Sequence, residues 1–358
     1  MRKILFVIGL CALGTMASLS ALAHAAFVGG QLGARSAALG GSFAAVADDA
    51  NAIFLNPAGV AQLSGMELTV IYARLHQDFV SDKFQEALAG LALPINLRSM
   101  GHLGIGLGWN AFRSALWEEN TFTLSCSYST PDGLLPGRLS LGGNIKRMAW
   151  EADTSGLDPI LGDSVYSGPK LGLDAGMLWS SQFPLSVRDD PFFMDSTFLL
   201  RIGAFVRNFN EPDIAPRNAE SVSRLRMEKG IGVSCAPSLD LDVLIIRPLV
   251  TAELRIVNGQ NTWHAGGELS VSTGRSLGLP ASPLRVVLRM GRSDFLEEEV
   301  GAEKRTIGIG AQTGLLALDC SYEYMTEEFY KDWGGTYQIQ GTLKLPPDLF
   351  LWWPPRDR

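Results

Sequence analysis

Residues 170–179, KLGLDAGMLW, alternate apolar side chains with polar or small ones. Leu171 and Leu173 fall on one face of an extended chain, whereas Lys170 and Asp174 fall on the other. A period of two is that of a β-strand with one apolar face. The stretch therefore predicts a strand, and its pattern is the one that recurs through most of the chain.

Segments with this alternation follow one another from residue 65 to residue 345. They cover residues 67–74, 87–95, 103–109, 122–128, 139–145, 171–179, 198–206, 225–235, 243–256, 263–271, 284–290, 307–311, 318–322 and 337–345. Bounded by Gly, Pro and charged stretches, they predict an all-β fold of about fourteen strands.

The composition excludes several other classes of protein. Of the 358 residues, 46% are hydrophobic and 19% are charged, which is too apolar for a disordered chain. A net charge of −7 argues against a nucleic-acid partner. Cys126, Cys235 and Cys320 are odd in number and widely spaced, so they predict neither disulfides nor a metal site.

The N-terminal 25 residues have the pattern of a secretory signal peptide. Residues 1–3 are basic at two positions, residues 4–22 are apolar, and residues 23–25, AHA, provide a small-x-small cleavage site. An uncleaved membrane anchor is the alternative. Beyond this segment the chain has no apolar run long enough for a membrane-spanning helix.

Exported strands with one continuous apolar face are typical of an outer-membrane β-barrel, and a periplasmic sandwich or propeller is the alternative. Charged residues recur on the opposite face, as expected for the wall of a polar lumen. These predicted lumen-wall residues are Lys170, Asp174, Arg201, Arg207, Glu228, Glu268, Arg285, Arg289, Asp319 and Glu323. Long or charged connections at residues 151–168, 210–224, 294–303 and 326–333 alternate with short turns, although the connection 181–196 is long.

Residues 33–61, GARSAALGGSFAAVADDANAIFLNPAGVA, differ from the strand segments. They resemble the N-terminal signature of FadL-like outer-membrane barrels, especially the PorV/PorQ branch: a G-A-R-x-A-x-x-G-G block, then A-D-D-A-x-A and N-P-A-G. The matching motif residues are Gly33, Arg35, Gly40, Gly41, Asp48, Asp49, Asn51, Asn56, Pro57 and Gly59. The resemblance implies a fourteen-stranded transmembrane barrel whose lumen is occluded by residues 26–64, which we call the hatch.

The hatch residues also have a physical interpretation of their own. Small side chains allow compact packing inside a lumen that wall side chains alone do not fill. Asp48 and Asp49 are expected to cap a helix over residues 50–55, which Asn56 and Pro57 end. The polar hatch residues either hold the hatch and pair with lumen arginines or act directly in ligand passage.

Gly104, Gly106 and Gly108 occupy alternate positions on the inward face of the third predicted strand. Inward glycine in a strand marks a kink or the close approach of another backbone. FadL-like transporters have a kinked wall here that gives a lateral outlet, so one hypothesis is an outlet at these glycines. The alternative is simple packing of the hatch against the wall.

The sequence contains no recognisable catalytic or cofactor site. His76, His102 and His264 are scattered, without a second ligand at metal spacing, and no nucleophile elbow is present. We therefore expect no enzyme activity, no metal and no cofactor.

Residues 346–358 follow the last strand and are rich in Pro and Trp. Repeated Pro excludes a further central strand. We predict a periplasmic tail that either anchors at the membrane interface or meets a partner. Because barrels commonly end on an aromatic residue of the last strand, this tail puts the usual assembly signal in doubt.

The predicted organisation is thus a signal peptide (1–25), a hatch (26–64), a transmembrane barrel (65–345) and a tail (346–358). The predicted location is the outer membrane of a Gram-negative-type cell. From the resemblance, the leading hypothesis is a monomeric channel for passive transport of hydrophobic small molecules such as long-chain fatty acids. The alternatives are a secretion-associated barrel that binds secreted proteins or translocon subunits, and a mainly structural barrel.

Overall fold

The computed structural model describes residues 32–78, 83–155, 164–185, 196–217, 222–241, 243–273, 284–294, 303–327 and 334–346. Within them the strands are β1 (Met66–Leu75), β2 (Phe84–Asn96), β3 (His102–Arg113), β4 (Trp117–Ser129), β5 (Arg138–Asp153), β6 (Ser164–Tyr166), β7 (Lys170–Pro184), β8 (Thr197–Arg207), β9 (Glu228–Asp240), β10 (Leu244–Val257), β11 (Gln260–Thr273), β12 (Arg285–Asp294), β13 (Glu303–Thr313), β14 (Leu316–Met325) and β15 (Thr336–Leu345). The helices are α1 (Ala34–Ala38) and α2 (Ala52–Leu55), with 3-10 helices at Pro57–Gln62 and Arg98–Met100. The predicted signal peptide and residues 347–358 of the predicted tail lie outside the described residues.

The strands form one closed antiparallel barrel. Each long strand pairs with its neighbours in sequence, and β1 pairs with β15 from Met66 opposite Leu345 to Arg74 opposite Tyr337. The sheet has fifteen strands, of which only the three-residue β6 stands outside the wall, on the end of β5. The wall therefore has fourteen strands, and the predicted fold class is confirmed.

The outward face of the barrel is apolar. Met290 is 70% exposed and Leu288 57%, whereas Arg289 between them is buried inside the lumen. The same alternation of exposed and buried residues runs along the other strands. A belt of exposed apolar side chains is the surface that a barrel turns towards lipid. Among the described residues no helix is long and apolar enough to cross a membrane.

The barrel has two ends. We call the end that carries Met66 and Leu345 the terminal end and the opposite end the distal end. The predicted alternation of long distal and short terminal connections is partly wrong. The distal connection between β10 and β11 is the turn Asn258–Gly259, whose residues have positive φ (55° and 78°), as a two-residue hairpin turn of this kind requires. At the terminal end, β11 ends at Thr273 and β12 begins at Arg285, so these two strands are far apart in sequence as well.

Residues 32–63 of the hatch lie inside the barrel and are almost entirely buried. Their apolar side chains pack with inward residues of the wall, including Ile71, Leu88 and Leu249. The main apolar core of the molecule is therefore the contact between hatch and wall.

The predicted helix in the hatch is shorter than expected. It begins at Ala52, and Asn51 precedes it in a helical backbone conformation without a capping side-chain bond. Asp48 does not cap it because its carboxylate pairs with Arg35 and Arg201 instead. Asp49 accepts a hydrogen bond from the backbone N of Asn51 at 2.9 Å, which is the bond that an N-cap residue makes for a helix beginning at residue 50.

Candidate functional site: the hatch within the barrel

Arg35 is the centre of the first half of the hatch, residues 32–49. Its Nη1 lies 3.0 Å from Asp49 Oδ2 and also contacts Asp48, and its Nε lies 3.0 Å from Glu268 Oε2 on β11. The guanidinium is mostly buried, so it satisfies its charge with carboxylates rather than water. Arg35 therefore joins the hatch to itself and to the wall.

Glu268 extends this cluster along the wall. Its carboxylate lies 2.8 Å from Arg289 Nε and 3.0 Å from Arg285 Nη2, in addition to Arg35. Arg289 also bonds Asp319 on β14, with Nη1 2.7 Å from Oδ1. One buried carboxylate thus holds three guanidinium groups, and four of the predicted lumen-wall residues meet the hatch through a single network.

A second wall contact holds the end of this half. Arg201 Nη1 on β8 lies 3.1 Å from Asp48 Oδ2 and donates to the carbonyl of Val46 at 3.3 Å. Burial acts to raise the pKa of Asp48, but Arg35 and Arg201 outweigh burial, so this pKa lies below its usual range. Asp48 is therefore held ionised between one hatch arginine and one wall arginine.

Glu253 and Arg255 on β10 belong to the site although the sequence analysis did not select them. Glu253 Oε2 accepts hydrogen bonds from the backbone N of Phe43 at 2.8 Å and of Ala44 at 2.7 Å. Arg255 pairs with Glu253 at 2.5 Å and donates to the carbonyl of Gly41. The available signal was the alternation of the polar residues Thr251, Glu253 and Arg255 within the predicted strand 243–256.

The second half of the hatch, residues 50–63, is held by amides rather than by charge pairs within the hatch. Asn56 Nδ2 donates to the carbonyls of Ala44 at 2.7 Å and Met177 at 3.1 Å. Asn51 Nδ2 donates to Gln340 Oε1 at 3.1 Å. A wall carboxylate contributes once, where Glu67 Oε2 accepts from the backbone N of Ala50 at 2.9 Å.

Inward glycines let this half lie directly against the wall. A Cβ at Gly106 would lie 2.7 Å from Ile53 Cγ1, and one at Gly108 would lie 2.6 Å from Phe54 Cε1. A Cβ at Gly104 would meet the backbone N of Ala61 at 2.5 Å. Comparable close approaches to the hatch occur at Gly142, Gly176, Gly203, Gly266, Gly291 and Gly308.

These contacts bear on the predicted lateral outlet. β3 pairs with both β2 and β4 along its whole length, so the wall is continuous at the three glycines. Of the two hypotheses, the contacts match packing of the hatch. Within the described strands the ladder is interrupted once, between β9 and β10, where Pro237 and Pro248 face each other and neither has an N–H to donate.

The other predicted lumen-wall residues point inward but pair within the wall. Arg207 lies 2.7 Å from Glu228, Lys304 3.0 Å from Glu323, and Lys146, which was not predicted, 2.7 Å from Asp174. Lys170 lies on the same inward face at the distal end of β7. The predicted lumen-wall residues thus lie on the inward face. Those that join the network around Arg35 are Arg201, Glu268, Arg285, Arg289 and Asp319.

The motif glycines of the hatch allow left-handed backbone conformations and close backbone contacts. Gly33 and Gly40 have φ values of 96° and 67°, which other residues rarely adopt. A Cβ at Gly59 would lie 2.1 Å from the carbonyl oxygen of Ala47, so the two halves of the hatch touch there. Gly41 also has positive φ, and Pro57 begins the 3-10 helix.

A cavity borders the first half of the hatch on the terminal side. Its volume is about 40 Å³, and it is lined by Arg35, Asp49, Arg285, Arg289 and Lys344 among others. Water that enters the terminal end of the barrel therefore reaches the ion pairs that hold this half.

The distal mouth of the lumen is apolar on one side. Trp117 on β4 and Trp150 on β5 stack with ring centroids 4.3 Å apart. Met148 and two residues from the β8–β9 connection, Ile214 and Leu225, pack around them. Trp150 Nε1 donates to the carbonyl of Ile214 at 2.8 Å, which fixes that connection over the rings. We call these five residues the mouth cluster.

Among the described residues no group of three or more His, Cys, Asp and Glu side chains is arranged to hold a metal ion. Cys126, Cys235 and Cys320 are free thiols on outward positions of the wall.

In sequence, the chain is similar to known protein families over only part of its length. Residues 22–130, less than half of the chain, match an uncharacterised protein family, UPF0164. No curated protein sequence matches the chain. The PorV/PorQ branch therefore stays a prediction.

Among solved structures, the chain is similar to a Pseudomonas aeruginosa FadL homologue, with 14% identity, a TM-score of 0.43, and coverage of 86% of this chain and 96% of that chain. It is also similar to CymD, a monoaromatic hydrocarbon channel (12% identity, TM-score 0.42, coverage 87% and 97%). A third similar structure is the Pseudomonas putida toluene transporter TodX (8% identity, TM-score 0.41, coverage 86% and 95%). At these TM-scores the function has to be argued from the residues of the chain itself.

Proposed function

We propose that the protein is an outer-membrane channel for passive transport of hydrophobic small molecules such as long-chain fatty acids, with its distal end outside the cell. The observation that carries the proposal is the position of the mouth cluster. Met148 and Trp150 lie on the same inward face of β5 as Asn144, whose Nδ2 bonds the carbonyl of Ile53 in the hatch at 2.9 Å. An apolar molecule captured at the mouth thus faces the apolar half of the hatch.

Binding at the mouth needs no energy source. Transfer of an alkyl chain from water to an apolar site yields roughly 0.8 kcal/mol per CH₂ group. The stacked rings of Trp117 and Trp150 are covered by the β8–β9 connection, so an alkyl chain reaches this apolar surface when Ile214 and Leu225 move aside. A charged or strongly hydrated solute gains nothing there, so the mouth favours hydrophobic compounds.

Transport requires the hatch to move, because residues 32–63 fill the lumen in this structure. The test is a reversible lock between hatch and wall. Ser42 Oγ lies 2.9 Å from Thr251 Oγ1, so cysteines at these two positions are placed for a disulfide. In a background without Cys126, Cys235 and Cys320, we expect oxidised Ser42→Cys/Thr251→Cys to stop accumulation of labelled oleate in cells, and reduction to restore it.

The chain offers a matched control for the lock. Thr69 Oγ1 and Thr342 Oγ1 lie 3.1 Å apart between β1 and β15, so Thr69→Cys/Thr342→Cys joins two wall strands without tying the hatch. This disulfide should leave oleate uptake unchanged. If the oxidised hatch lock transports as fast as the reduced protein, or if cells lacking the protein accumulate oleate equally, the channel proposal fails.

The alternative, a secretion-associated barrel, draws support from the completeness of the closure. The hatch bonds to wall residues on both sides of the barrel, from Glu67 on β1 to Glu253 on β10. A permanently closed barrel suits a docking platform, in which outer connections bind secreted proteins or translocon subunits. This alternative would be favoured if the oxidised hatch lock left oleate uptake unchanged and one defined secreted protein co-purified with the barrel.

For release of the ligand through the wall, we propose the interruption between β9 and β10 rather than the glycines of β3. Pro237 and Pro248 remove backbone donors there, and Leu249 beside them packs on the hatch core. Pro248→Val restores an N–H and should slow release into the bilayer without changing binding at the mouth. Unchanged release by this variant contradicts the assignment of the outlet, though not the channel.

A further inference from the structure

The apolar belt of the barrel ends in basic residues at the distal end. Arg74 on β1, Arg147 on β5, Lys229 on β9, Arg292 on β12 and Arg305 on β13 all occupy outward positions by the alternation of their strands. On β12 the outward series Val286, Leu288, Met290 is followed directly by Arg292. We call the five basic residues the distal girdle.

The terminal end differs. Within the described strands, the outward residues nearest that end carry no charge. They are Met66, Ile95, Leu103, Tyr128, Leu139, Phe183, Phe198, Leu239, Leu244, Thr273, Val286, Thr313, Leu316 and Leu345. Outward basic charge in the described strands is therefore confined to the distal boundary of the belt.

Two members of the girdle have apolar neighbours and no ion pair with a described residue. Arg147 lies in register between Phe122 on β4 and Leu171 on β7. Lys229 lies in register between Val206 on β8 and Ile256 on β10. Their charges stand at the edge of the lipid-facing surface, where long side chains reach towards headgroups.

Arg292 and Arg305 form a closer arrangement within the girdle. Arg292 and Arg305 are directly opposite each other on β12 and β13, and their side chains are 65% and 57% exposed. Like charges at directly opposed positions destabilise a sheet. The carboxylate of Glu303 forms ion pairs with both arginines, at 3.5 Å from Arg292 Nε and 3.0 Å from Arg305 Nε. Asp294, a second carboxylate among the described residues here, accepts the backbone N–H of Trp263 at 2.9 Å.

We propose that the distal girdle binds phosphate groups of lipids in the outer leaflet and that Arg292 and Arg305 form its principal site. Two guanidinium groups across a strand pair offer more donors than one carboxylate occupies, and guanidinium matches phosphate oxygens in pairs. Exposed Trp263 lies on the outward face of β11 two positions from Ala265, which is opposite Arg292, and Tyr324 lies opposite Arg305 on β14. Aromatic side chains beside bases are typical of a membrane interface, where lipid phosphates lie.

The site is independent of the hatch and of transport. Its role is to fix the depth and tilt of the barrel in an asymmetric membrane through contacts at one boundary only. The ligand class is a lipid whose headgroup bears an anionic phosphate. Free inorganic phosphate shares that chemistry but lacks the acyl chains that lie along the apolar belt.

The test measures lipid retention by the purified full-length protein. The detergent-solubilised barrel is mixed with equal amounts of phosphatidylglycerol and an uncharged galactolipid of the same acyl chains, and bound lipid is counted by native mass spectrometry. We expect preferential retention of phosphatidylglycerol, weakened about tenfold in Arg292→Gln/Arg305→Gln. Arg292→Lys/Arg305→Lys should keep part of the preference because the charge remains.

Arg113→Gln is the matched control, because Arg113 is also outward at the distal end but pairs one-to-one with Glu118 at 3.1 Å. It should retain lipid like the native protein, and heat-modifiable gel mobility checks that every variant is folded. Equal retention of both lipids, or an equal loss in Arg113→Gln, overturns the proposal. Displacement of phosphatidylglycerol by excess inorganic phosphate overturns the lipid assignment and indicates a site for free phosphate.

Discussion

The two halves of the hatch are attached to the wall by different forces. Residues 32–49 lie along β8 to β14 and are held by buried ion pairs, with Arg35 and Glu268 at the centre, in addition to apolar packing and close contacts with glycines. Residues 50–63 lie along β1 to β7 and β15 and are held by apolar packing, amide hydrogen bonds and close contacts with glycines. The same short segment thus combines a charged attachment and a shape-fitted one.

The difference indicates which half moves. Ion pairs can be exchanged for water where water reaches them, and a small cavity of about 40 Å³ already lies beside Arg35 and Asp49. The apolar half has no such exchange, because exposing Ile53 and Phe54 costs free energy with nothing to offset it. We expect an opening hatch to release residues 32–49 first while residues 50–63 stay on the wall.

Breaking the charged attachment should have the largest effect. Glu268→Gln leaves Arg35, Arg285 and Arg289 without their shared carboxylate and should lower the free energy of unfolding by roughly 3 kcal/mol, as for other broken buried ion pairs. Urea unfolding in lipid vesicles measures this loss. Ion conductance across planar bilayers should rise as residues 32–49 loosen.

Glu323→Gln is the control for that prediction, because Glu323 pairs with Lys304 on the neighbouring strand of the wall, at 3.0 Å. It should lower stability less and leave conductance at the native level. A conductance increase of equal size in both variants would mean that the charged half does not control the closure.

Breaking the shape-fitted attachment should have an intermediate effect. A Cβ at Gly142 would lie 2.5 Å from the backbone of Pro57 and Ala58, whereas the neighbouring Gly143 faces outward with its closest contact at 3.4 Å. Gly142→Ala should therefore lower the free energy of unfolding by about 1–3 kcal/mol, the usual cost of overpacking, and Gly143→Ala should not. Thermal shifts of gel mobility compare the two variants directly.

A second adjacent pair extends the test to the charged half. A Cβ at Gly266 would lie 2.5 Å from the carbonyl oxygen of Leu39, whereas the nearest contact at Gly267 is 3.8 Å. If the first half is the mobile one, Gly266→Ala raises conductance more than Gly142→Ala does. The reverse order would assign the movement to the second half.

The smallest expected effects come from single neutral hydrogen bonds, one in each half. Ser42 bonds Thr251 at 2.9 Å in the first half, and Gln62 bonds Ser140 at 2.9 Å in the second. Ser42→Ala and Gln62→Ala should each lower stability by about 1 kcal/mol. Only Ser42→Ala should increase conductance, and identical conductance in the two variants would remove the distinction between the halves.

Much of the fold could be predicted from local pattern. Alternation along residues 170–179 or 284–290 already separates the lipid-facing side chains from the inward ones, because successive side chains of a strand point to opposite faces. The motif around Arg35, Asp48 and Asp49 likewise marked the hatch as distinct from the strands. The partners of these residues were not predictable, because Arg35 meets Glu268, 233 positions away, only after the barrel closes.

Two further features show the same limit of prediction from sequence. Glu253 and Arg255 lie in a segment of weak alternation, and their importance arises from backbone donors at Phe43 and Ala44 that no local pattern reveals. The inward glycines of β3 suggested either an outlet or close packing, and only the position of Ile53 and Phe54 favours packing.

The sequence by itself determined the strands, their two faces and the existence of a separate small-residue segment, because these depend on the chemistry of neighbouring positions. The tertiary structure decided the closure of β1 on β15, the division of the hatch into a charged and a shape-fitted half, and the confinement of outward bases to one end. Those features depend on which strands become neighbours around the circumference, and closure brings together residues that the chain keeps far apart.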